Sequence, residues 1–334
     1  MAATLKIIAE RAGLAQSTVS QILNRRAHDF SSEEKRQLVF RLAHELGYKQ
    51  KFGHKLLRGD KTQTVGLLLS THRSSLEEYM QALILRLLDE LEQKGYGSYF
   101  VTLSDREENN LRIVRDLFSR GADCFIMLGA PVGYEEIEAE IRNNGRNMIA
   151  FNHVSPRRVE EDHSRSCGDI LRFFLDEGRT NFRMLLGEPF CFEDERLRSL
   201  KRIFPDTSEE ELLKRCCVSL GYLGEHDDID LFARIGYEKT REVMEQDPAV
   251  SALFYLSDYF AVGGVKYLTD TGRKVGSDVL VAGFNNIHAV RTHCLPITSA
   301  EHALTEIADA MVEEMDRSGD MIRTVYSKAV IRKV

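Results

Sequence analysis

The stretch AERAGLAQSTVSQILN at residues 9–24 decides how the chain begins, because it joins two short helical patterns around one glycine. Apolar residues recur from Leu5 to Ala12 at the spacing of one helix face, and Thr4 before them can cap the helix. Gly13 suits the left-handed turn that ends such a helix. The pattern therefore predicts a first helix followed by a tight turn.

A second short helix is predicted to start near Ala15. Its apolar residues Val19, Ile22 and Leu23 share one face. The opposite face is small and polar, and consists of Gln16, Ser17, Ser20 and Gln21. Hydroxyl and amide groups on a slender helix are what readout of the DNA major groove needs.

A third helix is predicted to begin with the capping-box pattern Ser31-Ser32-Glu33-Glu34 and to end at Gly47. Three short helices with a tight first turn make a helix-turn-helix domain, which we place at residues 4 to about 47.

The distribution of charge supports contact with nucleic acid at this end only. The whole chain has a net charge of −7. Residues 1–61 hold twelve Lys and Arg residues and six acidic residues, a net +6, whereas the remaining 273 residues hold 33 basic and 46 acidic residues, a net −13. A basic head on an acidic body favours phosphate contact by the head. A chance cluster of solvated Lys and Arg is the alternative.

The rest of the chain alternates short apolar runs with amphipathic stretches, which predicts parallel sheets covered by helices. The predicted strands are Val65–Leu69, Tyr99–Leu103, Cys124–Leu128, Met148–Phe151, Arg183–Leu186, Cys216–Leu220, Ala252–Leu256 and Val279–Phe284. These are more strands than one such sheet needs. At 334 residues the chain is also too long for one ordinary core, so we expect two α/β halves.

Residues 9–24, followed by Glu45-Leu46-Gly47-Tyr48 and by Val65-Gly66-Leu67, resemble the opening of the lactose-repressor/galactose-repressor (LacI/GalR) family. The resemblance implies a multidomain fold: an all-α helix-turn-helix head and an α/β periplasmic-binding-protein-like (type I) core of two doubly wound halves. The implied boundaries are 1–48 for the head, 49–61 for a hinge and 62–334 for the core. Within the core, the first half covers about 62–174 and 302–324 and the second about 175–301 and 325–334, with crossings near 174, 301 and 325.

The resemblance also assigns DNA-binding residues. Gln16, Ser17 and Gln21 fall on the positions that read bases, and Thr18, Ser20 and Asn24 on positions that contact phosphate or cap the helix. Position 21 is usually Arg or His in the family. A glutamine there favours adenine over guanine.

The hinge resemblance places on Leu57 the leucine that wedges between base pairs in the minor groove. The sequence departs from the family here, because Gln50-Lys51 replaces the usual Pro-Asn and two glycines, Gly53 and Gly59, lower helix propensity. A basic linker without the wedge is the alternative.

For the core, the resemblance implies a small-molecule effector, such as a sugar or a related metabolite, in a cleft at the carboxyl ends of the strands. The implied effector-binding residues are Asp162, Arg196, Asp258 and Asn285. Position 285 is usually Asp, so its amide removes an acceptor charge that a sugar would use. An ordinary loop or surface role is the alternative for each of these residues.

Other classes of function find little support. The chain lacks the GxGxxG, Walker, HExxH and GxSxG patterns. The ten histidines show no metal-ligand spacing, Glu160-Glu161 is interpreted as a solvated face, and we expect neither a cofactor nor a metal. The six cysteines suggest reduced thiols in a cytoplasm. The start of the chain lacks the apolar core of a signal peptide, and no membrane span is expected.

The predicted function is a sequence-specific transcriptional regulator, a homodimer on a pseudo-palindromic DNA operator, whose affinity is set by the effector. A solute-binding protein of a transport system is the alternative, and an enzyme on an α/β core is a third possibility.

Overall fold

The computed structural model describes residues 4–23, 31–48, 53, 56, 60–70, 77–221 and 229–334. It divides into two compact units, Met1–Thr62 and Gln63–Val334, which we call the head and the body.

The head contains three helices: α1 (Leu5–Ala12), α2 (Gln16–Leu23) and α3 (Glu33–Glu45). Thr4 caps α1, since its Oγ1 accepts a hydrogen bond from the backbone N–H of Ile7 at 3.4 Å. Gly13 ends α1 with φ at 64°, a left-handed conformation that costs glycine little. The helices pack around a small buried core of Ile8, Ala9, Val19, Ile22, Val39 and Ala43.

The start of α3 differs from the predicted capping box. The pattern implies Ser31 as the N-cap residue, but the N-cap is Ser32, whose side chain makes no capping hydrogen bond. Glu33 lies in the first turn, where its carboxylate accepts from Arg36 and Gln37 at 3.5 and 3.4 Å. The helix therefore starts one residue later than the pattern implies.

The first lobe of the body is built on a parallel six-stranded sheet. Its strands are β1 (Thr64–Ser70), β2 (Gly97–Leu103), β3 (Cys124–Leu128), β4 (Asn147–Phe151), β5 (Arg157–Asp162) and β11 (Met321–Tyr326), in the order β11-β5-β4-β3-β1-β2. Its helices are α4 (Glu78–Gln93), α5 (Glu107–Ser119), α6 (Tyr134–Asn143) and α13 (Leu304–Glu314). Buried residues of α4 and α13 pack on one face of the sheet, and those of α5 and α6 pack on the other.

The second lobe repeats this plan. Its strands are β6 (Phe182–Leu186), β7 (Cys217–Ser219), β8 (Ala252–Tyr255), β9 (Leu280–Phe284), β10 (Ile297–Glu301) and β12 (Lys328–Val330), in the order β12-β10-β9-β8-β6-β7. Only the pairing of β12 with β10 is antiparallel. Its helices are α7 (Ser164–Asp176), α8 (Glu195–Ile203), α9 (Glu209–Cys216), α10 (Ile229–Gln246), α11 (Asp258–Asp270) and α12 (His288–Arg291).

The chain crosses between the lobes three times, at His163, His302 and Ser327. The last two crossings lie close to the predicted 301 and 325, but the first lies eleven residues before the predicted 174. The reason is that α7 belongs to the second lobe: its residues Cys167, Ile170 and Phe174 are buried against that lobe's sheet. The fold is thus a type I periplasmic-binding-protein-like core of two doubly wound halves.

Four strands were not predicted, namely β5, β10, β11 and β12. β5 has the sequence RRVEED, so charges occupy most positions although every second residue is buried. β10 has the sequence ITSAE, in which small polar residues are buried. Neither sequence is the apolar run from which the other strands were predicted. Among the described residues, no helix is long and apolar enough to cross a membrane.

Candidate functional site

The polar face of α2 lies on the surface of the head. Gln16, Ser17 and Gln21 are exposed, whereas Val19 and Ile22 are buried in the head core. Thr18 and Ser20 are partly buried. The pattern predicts this division except at Ser20, which it placed on the exposed face. Contact of these side chains with DNA remains a prediction, and Asn24 and Leu57 lie outside the described residues.

The body has a second candidate site where its two lobes meet. Strands β5, β10 and β11 each end immediately before a crossing, and β9 ends at Phe284 beside them. Carboxyl ends of parallel strands are the usual place for a ligand in open α/β sheets. We call this region the inter-lobe cleft and define it by Glu77, Tyr79, Glu161, His163, Arg196, Phe284, Asn285 and His302.

Arg196 is held in the cleft by its own lobe. The carboxylate of Asp194 accepts from Nε and Nη2 at 2.9 and 2.8 Å, and the carbonyl oxygen of Leu256 accepts from Nη1 at 3.1 Å. Its guanidinium carbon lies 5.2 Å from the ring centroid of Phe284. Burial disfavours the charged form of Asp194, but the guanidinium outweighs burial and lowers the pKa of that carboxyl. Two of the five N–H groups of Arg196 are not used by these bonds.

Asn285 bridges the two lobes. It follows β9 of the second lobe, and its Nδ2 donates to the carboxylate of Glu77, at the start of α4 in the first lobe, at 2.7 Å. The next residue of α4, Glu78, accepts from the backbone N–H of His288 at 2.9 Å and from Arg291 at 3.0 Å. These contacts hold the start of α4 against the second lobe.

His302 extends this bridge to the first crossing. Its Nδ1 lies 2.6 Å from Oε2 of Glu161, and its Nε2 lies 3.1 Å from Oδ1 of Asn285. Since Asn285 donates its amide nitrogen to Glu77, its oxygen must face the ring. Both ring nitrogens therefore face acceptor oxygens. Tyr79 stacks on this ring with a centroid distance of 4.1 Å.

Glu161 is a fully buried carboxylate. Oε1 accepts from the backbone N–H of Ala303 at 2.7 Å, and Oε2 faces His302 and, at 3.7 Å, Nε2 of His163. Burial alone would raise the pKa of Glu161, but the hydrogen bond and the charge of His302 outweigh it and lower that pKa. The sequence interpretation of Glu160-Glu161 as a solvated face is wrong for Glu161, because this side of β5 faces the interior.

His163 occupies the first crossing with its ring edge-on to Phe284, at a centroid distance of 4.7 Å. Burial lowers its pKa to about 4, and the neighbouring Glu161 offsets only part of that effect. The ring is therefore neutral near pH 7. Its Nδ1 is buried and has no hydrogen-bond partner.

The four predicted effector-binding residues separate into two groups. Arg196 and Asn285 lie in the cleft on either side of Phe284. Asp162 lies at the rim, where its carboxylate accepts from the N–H of Ser164 at the start of α7. Asp258 does not face the cleft: it is fully buried and accepts from the N–H of Ile287 and the hydroxyl of Ser299. Its role is to hold the loop after β9, because a buried carboxylate at the start of α11 needs those donors.

Sequence reasoning missed Glu161, His163 and His302. His302 lies 141 residues from Glu161 along the chain, so no local spacing could pair them. Positions just after strands that cross between lobes are the one signal that could have found them. All six cysteines are free thiols, as expected.

Comparisons with known proteins agree with this architecture. A periplasmic-binding-protein-like domain matches residues 171–324. The HTH-type transcriptional repressor PurR of Pasteurella multocida (strain Pm70) is 21% identical over 319 residues, covering 91% of this chain and 88% of that protein. PurR of Histophilus somni (strain 129Pt) is 22% identical over 358 residues, covering 99% and 98%.

Solved structures with the same fold span the head and the core together. The lac repressor dimer bound to operator and the anti-inducer ONPF has a TM-score of 0.70 at 17% identity, covering 100% of this chain and 99% of that one. The complex of the regulator CelR with cellobiose has a TM-score of 0.60 at 19% identity and covers 99% of each chain. The chain is thus similar over nearly its whole length to transcriptional repressors and shares the fold of the lac repressor.

Proposed function

We propose that this protein is a transcriptional repressor of the LacI/GalR family. It reads its operator through α2 of two heads, and it binds or releases the operator according to whether the inter-lobe cleft holds an effector. The observation that carries the proposal is the presence in one chain of an exposed polar α2 on a basic head and of a cleft lined by residues of the first two crossings, His163 and His302. Gln16, Ser17 and Gln21 read bases, while Thr18, Ser20 and Asn24 position the helix. Leu57 is the proposed minor-groove wedge.

The three crossings provide a physical route by which effector binding in the cleft can alter DNA binding by the heads. Each lobe is a rigid sheet covered by helices, and three short connections let one lobe rotate on the other. β1 of the first lobe follows the head along the chain, so rotation of the lobes can change how two heads meet on DNA. A coupling of roughly 1–3 kcal/mol, or about 5–150-fold in affinity, is typical of such systems.

The charges of the cleft favour an uncharged, hydroxyl-rich effector. Among the described residues, four carboxylates line the cleft and its rim: Glu77, Glu161, Asp162 and Asp194. The nearby cations are already paired or close to a carboxylate: Arg196 is paired with Asp194, Arg291 with Glu78, and Arg198 and Arg202 lie near Asp162. Hydroxyl groups of a sugar can donate to carboxylate oxygens. The complex of CelR with cellobiose is a relative of this kind.

The proposed assembly is a homodimer. One head is small, so two heads on a dimer bind a pseudo-palindromic site by adding their contacts. We place the protein in the cytoplasm, where the operator is.

Operator selection from random duplexes with the full-length protein tests this proposal, repeated with a panel of sugars and related metabolites. The expected result is one enriched pseudo-palindrome whose recovery changes with one ligand class. Enrichment of no sequence under any ligand would overturn the proposal. If a ligand nevertheless bound the body, the result would favour a solute-binding protein instead.

A further inference from the structure

Glu161, His163 and His302 bring three ligating atoms to the floor of the inter-lobe cleft. One ligating atom from each residue lies within 4.8 Å of the other two. Oε2 of Glu161 faces both Nε2 of His163 and Nδ1 of His302. We propose that they form a binding site for a divalent transition metal, Zn²⁺ by preference. The two imidazoles and one carboxylate are the ligand set of an open zinc site, which keeps a fourth position for water or another ligand.

The spacing of the three atoms fits a small ion after modest movement. Ligands about 2.0–2.1 Å from zinc in a tetrahedron lie about 3.3 Å apart. Oε2 of Glu161 is 3.7 Å from Nε2 of His163, which is too far for a hydrogen bond and close to that value. It is 2.6 Å from Nδ1 of His302, so these two atoms must separate by less than an ångström. An ion would replace the proton that they share here.

The surroundings already hold two of the ligands in orientation. Oε1 of Glu161 is occupied by the N–H of Ala303, which leaves Oε2 for the ion. Nε2 of His302 faces Oδ1 of Asn285, and Asn285 is itself fixed by Glu77. A ligating histidine usually donates its second N–H to an oxygen in this way, which fixes the tautomer.

Charge and burial also point to a cation. The carboxylate of Glu161 is fully buried, and no Lys or Arg is paired with it among the described residues. A buried carboxylate needs a positive partner or a metal, and its partner here is His302, which is itself one of the three candidate ligands. Arg196 is paired with Asp194. Nδ1 of His163 has no hydrogen-bond partner. No contact therefore prevents Nδ1 from carrying the ring proton, which leaves the lone pair of Nε2 for an ion.

The position of the site gives the ion a mechanical role. Glu161 lies near the end of β5, His163 occupies the first crossing and His302 occupies the second. A bound ion would tie the two crossings together and limit rotation between the lobes. Nitrogen donors select zinc and similar metals over Mg²⁺ and Ca²⁺, which prefer oxygen.

Titration of the full-length protein with Co²⁺ tests the site, because the visible bands of Co²⁺ report its coordination. We expect one Co²⁺ per chain with the intense bands of a four- or five-coordinate ion, displaced by Zn²⁺, and a rise in melting temperature with Zn²⁺. The thiols are blocked beforehand, since Cys191 and Cys294 are exposed. A thiolate charge-transfer band, or loss of all binding on blocking, would assign the metal to cysteine and overturn the proposal.

The decisive variant is His163→Gln, because Nδ1 of this imidazole has no hydrogen-bond partner and Nε2 lies 3.7 Å from Glu161. Removing a ligand should weaken Co²⁺ binding at least by the about 10–100-fold that loss of a second-shell partner costs. His302→Gln should do the same, and the exposed His288→Gln is the control. Equal Co²⁺ affinity in wild type and His163→Gln, or no binding in wild type, would contradict the site. DNA is absent from these measurements, so they are independent of the proposed repressor function.

Discussion

The side-chain amide of Asn285 donates to the carboxylate of Glu77 at 2.7 Å and so links the second lobe to the first. We expect Asn285→Asp to weaken this link, because two carboxylates would then face each other. The variant should favour the open arrangement of the lobes, detectable as a larger radius of gyration in small-angle X-ray scattering.

A charge swap provides the control for that prediction. In the double variant Glu77→Gln/Asn285→Asp, the new amide can donate to the new carboxylate, so the compact arrangement should return. If the single and double variants scatter alike, the contact between these two residues does not govern lobe closure.

Gln21 is predicted to read one base of each half-site. Replacement by Ala should relax selectivity at that position by about 1–3 kcal/mol without unfolding the head, because the side chain is exposed. Gln21→Arg should shift the preference from adenine towards guanine. Selection on randomised operators measures both effects. Gln37→Ala, a matched exposed change on α3, should leave the selected sequence unaltered. An unchanged preference in both Gln21 variants would remove this residue from the reading face.

Gly263 lets α11 pack against α10 at backbone contact. A Cβ at this position would lie 1.8 Å from the carbonyl oxygen of Ala233, which cannot move without shifting the helix. Gly263→Ala should therefore lower the free energy of unfolding by about 1–3 kcal/mol or more, as overpacking does. Urea denaturation followed by circular dichroism measures the loss. Gly168→Ala is the control, because its Cβ would meet only Arg172 at 3.8 Å, and there stability should be kept or raised.

Asp258 should make stability depend on pH. Burial raises its pKa to about 7, against an ordinary value of 3.8, although hydrogen bonds from Ile287 and Ser299 favour the charged form. The folded state thus holds the proton more tightly than the unfolded state. This contribution is complete below pH 4 and is lost as pH rises to about 7. The free energy of unfolding, compared with that of Asp258→Asn, should fall over this window by at most about 4 kcal/mol.

The exposed Asp105→Asn is the reference for that comparison. Urea melts of all three proteins from pH 4 to 8 provide the data. A wild-type curve parallel to that of Asp258→Asn across the window would show that Asp258 is not a buried acid of raised pKa.

Local patterns predicted the fold where a helix has one apolar face or where a strand is a continuous apolar run. The head helices, β3 (Cys124–Leu128) and the carboxyl-edge positions of Arg196 and Asn285 follow from periodicity and from the family resemblance. β5 and β10 were missed because burial by neighbouring elements, rather than their own hydrophobicity, makes them strands.

The floor of the cleft could not be predicted for a different reason. Glu161 and His302 meet only because two crossings lie side by side, which depends on strand order rather than on any local sequence. Asp258 shows the opposite error. It matches a polar position after a strand, but its side chain points into the protein. There its carboxylate accepts hydrogen bonds from the hydroxyl of Ser299 and the backbone N–H of Ile287.

The central claim is that ligand in the cleft controls DNA binding by the head, and Arg196 offers the most direct test. Fluorescence anisotropy with the selected operator should show a change of about 5–150-fold in affinity for wild type with the active ligand. Arg196→Ala should bind the operator without ligand as wild type does and should not respond to the ligand, with a melting curve confirming that it is folded. Loss of ligand-free operator binding in the folded variant, or an undiminished ligand response, would contradict this account.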